Sequence, residues 1–187
     1  MNALTGGKSM IFKRIITKLI VSSLLFTSIP VLAVDIPINI TGIIQIPPCQ
    51  INQGRPVEVD FGDVLIVDVE NKQNWKKVSI PVTCSYTQGI PYVKVTGTML
   101  KNHRNILATN VENFGIALYQ GDGTITKLLI GDGKHNGQDS IGYPVEAGLT
   151  GQENGTFTFT AIPYKEGNKE LPASAFSASA NMSISYF

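Results

Sequence analysis

The sequence predicts an all-β antiparallel sandwich, and three observations predict it. Short extended runs alternate apolar and polar residues through most of the chain. Turn residues, chiefly Gly, Pro, Asp and Asn, cut these runs at regular spacing. Past the first thirty-odd positions almost no stretch carries the 3.6-residue period of an amphipathic helix.

The N-terminal segment stands apart from this pattern. Lys8, Lys13, Arg14 and Lys18 make a basic start, an apolar run of about 13 residues follows from Leu19 to Val31, and Ala33 supplies the small residue that a signal peptidase reads. The run is shorter than the roughly 20 residues a membrane-spanning helix needs, and Pro30 breaks it. Residues 1–33 therefore read as a secretory signal peptide, with Met10 a candidate start because nothing before it adds to the pattern. Val34–Phe187 is the expected mature part, about 154 residues, enough for one domain with a sizeable core. Export and two cysteines together point to an oxidising compartment in which Cys49 and Cys84 can pair, with two buried thiols as the alternative.

The elements follow in order. Asp35 to Cys49 reads DIPINITGIIQIPPC, with Ile36, Ile38, Ile40, Gly42, Ile44 and Ile46 at every second position, the pattern of a strand with one buried face. It is either a first strand of its own domain or a segment that lies in another chain's groove. Pro47-Pro48 favours separation, since two prolines fix an extended kink and remove two donors. Val57–Phe61 alternates and stops at Gly62-Asp63; Val78, Ile80, Val82 and Cys84 share a face; Val93 and Val95 share another within Pro91–Thr98. Asn113–Gln120 leads into the turn Gly121-Asp122-Gly123, and Thr124–Ile130 into Gly131-Asp132-Gly133. Asp-Gly between apolar runs is a hairpin signal, because Gly accepts positive φ and Asp tolerates it. Phe157 and Phe159 share a side of Thr156–Ile162. The last strand mirrors the first, with Phe176, Ala178, Ala180, Met182, Ile184 and Tyr186 on one face and Ser177, Ser179, Asn181, Ser183 and Ser185 on the other. Some eight to ten short strands so punctuated imply a sandwich of immunoglobulin-like type.

The ordered set INITG (Ile38–Gly42), IPPCQIN (Ile46–Asn52), VDFG (Val59–Gly62), VKVTG (Val93–Gly97), NILATNVENFGIALYQGDG (Asn105–Gly123) and TFTFTAIPY (Thr156–Tyr164) resembles the pilin subunits of Gram-negative fimbriae assembled by the chaperone–usher route. Within that family it is most similar to the minor tip-adaptor subunits of P-like pili. The resemblance implies an incomplete immunoglobulin-like sandwich that lacks its last strand and is completed by a donor strand. It implies that residues 34–47 are a donor-strand extension and 48–187 the pilin domain. Ile38, Ile40, Ile44 and Ile46 would fill pockets of a neighbour's groove, and Gly42 would pass its tight point. Phe176, Ala178, Ala180, Met182, Ile184 and the penultimate Tyr186 would form the strand read by a periplasmic chaperone, although the glycine usual before that strand is absent around Ser174. Cys49 and Cys84 match the family disulfide. The implied partners are that chaperone, an outer-membrane usher and neighbouring pilins including the tip adhesin. The implied place is a fimbrium on the cell surface, reached through the periplasm.

Other chemistries have little support in the residues. Lys and Arg number 15 against 14 Asp and Glu, spread along the chain, so no basic patch argues for nucleic acid or anionic lipid. His103 and His135 lie in polar, turn-like surroundings without a ligand at metal spacing. The serines from Ser174 to Ser185 form a strand face and no nucleophile elbow. Asp122, Asp132 and Asp139 fit no calcium loop and read as turn residues. The expectation is a non-enzymatic subunit without cofactor or metal, joining a tip adhesin to the pilus by donor-strand exchange. The alternatives are another minor or major subunit of the same pilus, or a receptor-binding module using loops around Lys101–Asn105 and Gly131–Ser140.

Overall fold

Phe157, fully buried, belongs to the core, and the strand that carries it is the longest among the described residues. A computed structural model describes residues 35–87, 89–135, 138–139, 141–151 and 153–186. The expected signal peptide lies outside them.

Twelve strands are seen among the described residues: β1 (Gln50–Ile51), β2 (Lys76–Thr83), β3 (Pro91–Gly97), β4 (Ile106–Ala108), β5 (Phe114–Gln120), β6 (Thr126–Lys127), β7 (Lys134–His135), β8 (Gln138–Asp139), β9 (Tyr143–Pro144), β10 (Leu149–Thr150), β11 (Asn154–Lys165) and β12 (Ala180–Tyr186). One antiparallel sheet runs in the order β1-β2-β11-β5-β4, with β10 on β11 and β6 on β5; a second runs β12-β3-β9; β7 and β8 form a separate hairpin. Single 3-10 turns at Asn52–Gly54, Ile66–Asp68 and Lys72–Asn74 are the helical structure described.

The period of two sets what each strand buries. Ile80 and Val82 of β2, Ile116 and Leu118 of β5, and Phe157, Phe159 and Ala161 of β11 point inward from the large sheet. They meet Val93 and Val95 of β3 and Ile184 and Tyr186 of β12 from the smaller one. The outer face of the large sheet is not wholly polar: Ile106, Ala117 and Ile162 occupy adjacent register positions and are buried together with Leu100. Trp75, Tyr119 and Tyr164 pack around them.

The first Asp-Gly turn closes the β5–β6 hairpin as the residues predict, whereas Gly131-Asp132-Gly133 closes none among the described residues: β7 pairs with β8, and Gly131 bridges Val95 of β3 instead. Gly121 and Gly123 have φ of 74° and 113°, and Gly131 and Gly133 have φ of 126° and 71°. Asp122 pairs with Lys77 at 2.8 Å and Asp132 with Lys94 at 2.9 Å. Buried Thr160 clamps the first turn, donating to Gly121 O and accepting from Gly123 N.

Two expected strands are absent and two are shortened. Asp35–Ile46 is in no strand, because a strand exists only by pairing and its isoleucines are exposed instead. Val57–Phe61 alternates in burial without belonging to a sheet. The last strand begins at Ala180 rather than Phe176, since its partner β3 ends at Gly97, which pairs with Ala180. Thr124–Ile130 is likewise reduced to the two-residue β6 and a bridge from Gly131 to Val95.

Candidate functional site

An open apolar groove lies between two segments that do not pair with each other. One wall carries Val57, Val59 and Phe61, and the other carries Phe176, Ala178, Ala180 and Met182. Between them Ile80, Val95, Leu107, Ile116, Leu118, Phe159 and Ala161 form the floor, around a cavity of about 450 Å³. Beyond Phe61 and Phe176 the space continues as a cavity of about 770 Å³ between residues 59–69 and 171–176. Leu65 and Val67 stand exposed on its rim.

Burial along the last strand shows where the sandwich is open. Ile184 and Tyr186 are buried, Met182 is half-buried, and Ala180 and Ala178 are exposed, although all point the same way. The covered end is where Cys49 and β1 run alongside, with Cys49 N donating to Ile184 O at 2.9 Å. That carbonyl faces away from β3, so by the period of two the backbone groups of Met182 and Ala180 face the groove as well. Burial raises the pKa of the Tyr186 phenol above its usual value.

The disulfide closes the covered end. Cys49 and Cys84 are bonded, both buried, and Cys84 N donates to Glu153 O at 2.7 Å. A crosslink over 35 positions is worth about 4 kcal/mol on the chain-entropy estimate.

The residues expected to act as a donor strand belong to no strand. Ile36, Ile38, Ile40 and Ile44 are 79–102% exposed, and Ile46 is 36% exposed. Gly42 has no neighbour within 4 Å of where a Cβ would stand. Such a run of bare isoleucine is costly in water, at about 25 cal/mol per Å² of apolar surface.

The other singled-out residues have structural surroundings. The His103 ring packs on Tyr164 with centroids 5.4 Å apart, and its Nε2 lies 3.7 Å from Glu166 Oε1. Lys101 donates to Glu166 Oε2 and, at 3.1 Å, to Asn113 Oδ1. The Lys101 hydrogen bond holds the Glu166 carboxyl below its ordinary range, and burial, with Glu70 next, raises Tyr164. Asn105 is buried and donates to Leu118 O at 3.1 Å. Of the loop Gly131–Ser140, Asn136, Gly137 and Ser140 lie outside the described residues. Among the described residues no group of three or more His, Cys, Asp and Glu is placed to hold a metal. The first groove wall was missed in the sequence: Val57-Val59-Phe61 showed its alternation, but nothing in that alternation reveals that the flanking strand is missing.

The profile of the Fimbrial protein family matches residues 38–187. The fimbrial adapter PapF of Escherichia coli is 45% identical over 165 residues, covering 88% of this chain and 95% of that protein. The minor fimbrial protein PrsF of Escherichia coli is equally similar, at 45% over the same span. Among solved structures, the P pilus adaptor subunit PapF superposes with a TM-score of 0.53 at 34% identity, covering 76% of this chain and 98% of that one. The P pilus rod subunit PapA shares the fold, with a TM-score of 0.52 at 19% identity. The architecture is thus that of pilins, and the chain belongs to the fimbrial protein family as a structural, non-enzymatic subunit of a cell-surface pilus.

Proposed function

We propose that this subunit is an adaptor that joins a tip adhesin to the fimbrial tip by donor-strand exchange. One observation carries the reading: the same chain has an open apolar groove and, before its disulfide, a run of exposed alternating isoleucines. Each is what the other needs, and within one chain they give head-to-tail assembly.

In this reading residues 34–47 leave the subunit and lie in the groove of the subunit ahead, the adhesin. Ile38, Ile40, Ile44 and Ile46 fill its pockets, and Gly42 lets the backbone pass close to the floor. At about 2 kcal/mol per buried Ile the four contribute up to roughly 8 kcal/mol before ordering costs. This subunit's own groove receives the extension of the subunit behind, which pairs with the backbone of Ala180 and Met182. Before that, a periplasmic chaperone reads the segment from Phe176 to Tyr186 and lies along its open part, and an outer-membrane usher hosts the exchange. Residues 1–33 direct export. The names of the PapF relatives, adapter and adaptor subunit, support the adaptor role.

Expression of the full chain with and without a cognate fimbrial chaperone tests the reading. Soluble protein only as a one-to-one chaperone complex is the expected outcome. A stable monomer without chaperone would sink it, because such a domain has no open edge to exchange.

A further inference from the structure

Upstream of Ala180 the second groove wall has no strand beside it, because β3 ends at Gly97. Yet Phe176, which stands on that wall, lies between two residues whose backbones are held. Ser177 N donates to Asn110 Oδ1 at 2.7 Å, Asn110 N donates to Ser177 O at 3.2 Å, and Asn110 Nδ2 donates to Ala175 O at 3.3 Å. One asparagine thus offers an acceptor and two donors in the spacing of a neighbouring strand. By the period of two, Ala175 and Ser177 turn their backbone groups to the β3 side, opposite to Ile184 O, so these bonds leave the groove edge unused.

Asn110 is itself held firmly. The Thr109 hydroxyl accepts from Val111 N at 3.0 Å and lies 2.9 Å from Phe114 O, to which it donates. Phe114 N donates to Val111 O, Asn113 takes a left-handed φ of 59°, and Asn113 O accepts from Glu166 N at 2.9 Å. The Phe114 ring then meets the Phe176 ring edge-on, centroids 4.8 Å apart. One turn, Thr109–Phe114, fixes both the ring of Phe176 and the backbone on each side of it.

We infer that Asn110 is a positioning residue for strand docking: it takes the place of a missing strand and holds residues 175–177 extended, so that the groove wall is formed before a donor arrives. The inference rests on the donor-strand reading for its purpose and on the three hydrogen bonds for its mechanism. Preorganisation of this kind lowers the ordering cost of docking.

Amide exchange on the full chain as recovered from the periplasm tests it, comparing wild type with Asn110→Ala and Asn110→Asp. In Asn110→Ala the Ser177 amide should exchange at least tenfold faster, with the amides of β11 unchanged and uptake of a synthetic Asp35–Pro48 peptide, which stands in for the alternating extension of the subunit behind, slowed at least threefold. Asn110→Asp keeps an acceptor for Ser177 N and should stay near wild type at that amide. Unchanged Ser177 exchange in Asn110→Ala, or equal acceleration there and in β11, overturns the inference, the latter marking general destabilisation. Wild-type protein that never takes up the peptide, with Ser177 responding as stated, counts instead against the groove reading and leaves the splint standing.

Discussion

The rings of Phe61 and Phe176 meet from opposite walls of the groove, with centroids 5.9 Å apart. With Val59 they line both the 450 Å³ and the 770 Å³ cavities. The two walls, which share no strand pairing, are therefore in contact through one aromatic pair. A double-mutant cycle of Phe61→Ala and Phe176→Ala should show a coupling of about 1 kcal/mol, read from the unfolding rates of subunit just released from its chaperone. Strictly additive losses would mean that the rings are neighbours without energetic connection.

Gly42→Leu should abolish docking of the extension into a partner's groove and leave the yield of chaperone-bound subunit unchanged. The position has no neighbour within 4 Å in the subunit itself, so the added side chain meets nothing there. Assembly in cells and subunit recovery from the periplasm are the paired readouts. Normal pili from this variant would show that the glycine is not at the tight point.

Removing the crosslink should cost the subunit about 2–4 kcal/mol, since Cys49→Ser frees a loop of 35 positions. Recovery of the chaperone complex under oxidising conditions should fall. An unchanged yield would show that the crosslink adds nothing to the folding of the subunit in the periplasm.

Acid should weaken the tie between the Leu100–Asn105 turn and the end of β11. The Glu166 carboxyl is held below its ordinary value of 4.5 by the Lys101 hydrogen bond. Its stabilising contribution is therefore complete above that ordinary value and is lost as pH falls through the lowered one. Melting temperatures of wild type and Glu166→Gln should differ near neutrality and converge in acid. Parallel curves across the whole range would assign the tie to packing rather than charge.

Much of this architecture was legible because burial follows the period of two. The inward faces of β2, β3 and β11 were read correctly at Val78, Ile80, Val82, Val93, Val95, Phe157 and Phe159, and the first Asp-Gly turn from its glycines. Where the reading differed, the cause was pairing rather than pattern. Ile36 to Ile46, Val57 to Phe61 and Phe176 to Ser179 all alternate, as strands do, but alternation reports which face is apolar and not whether a partner is present. The groove is made of that difference, so its walls look in sequence like ordinary strands. Asn110 was invisible for another reason: its three hydrogen bonds reach residues 65 and 67 positions away.

The crosslink at Cys49 also decides how the subunit bears tension. A pull on the isoleucine segment enters the domain through Pro48 and reaches Cys49, where a covalent shortcut leads directly to Cys84 and the buried end of β2. Residues 50–75, among them the wall Val57–Phe61, lie off that path. A load entering at Pro48 is thus passed by a sulfur–sulfur bond to the strand end beside Cys84 and on to the large sheet, without running along Val57–Phe61.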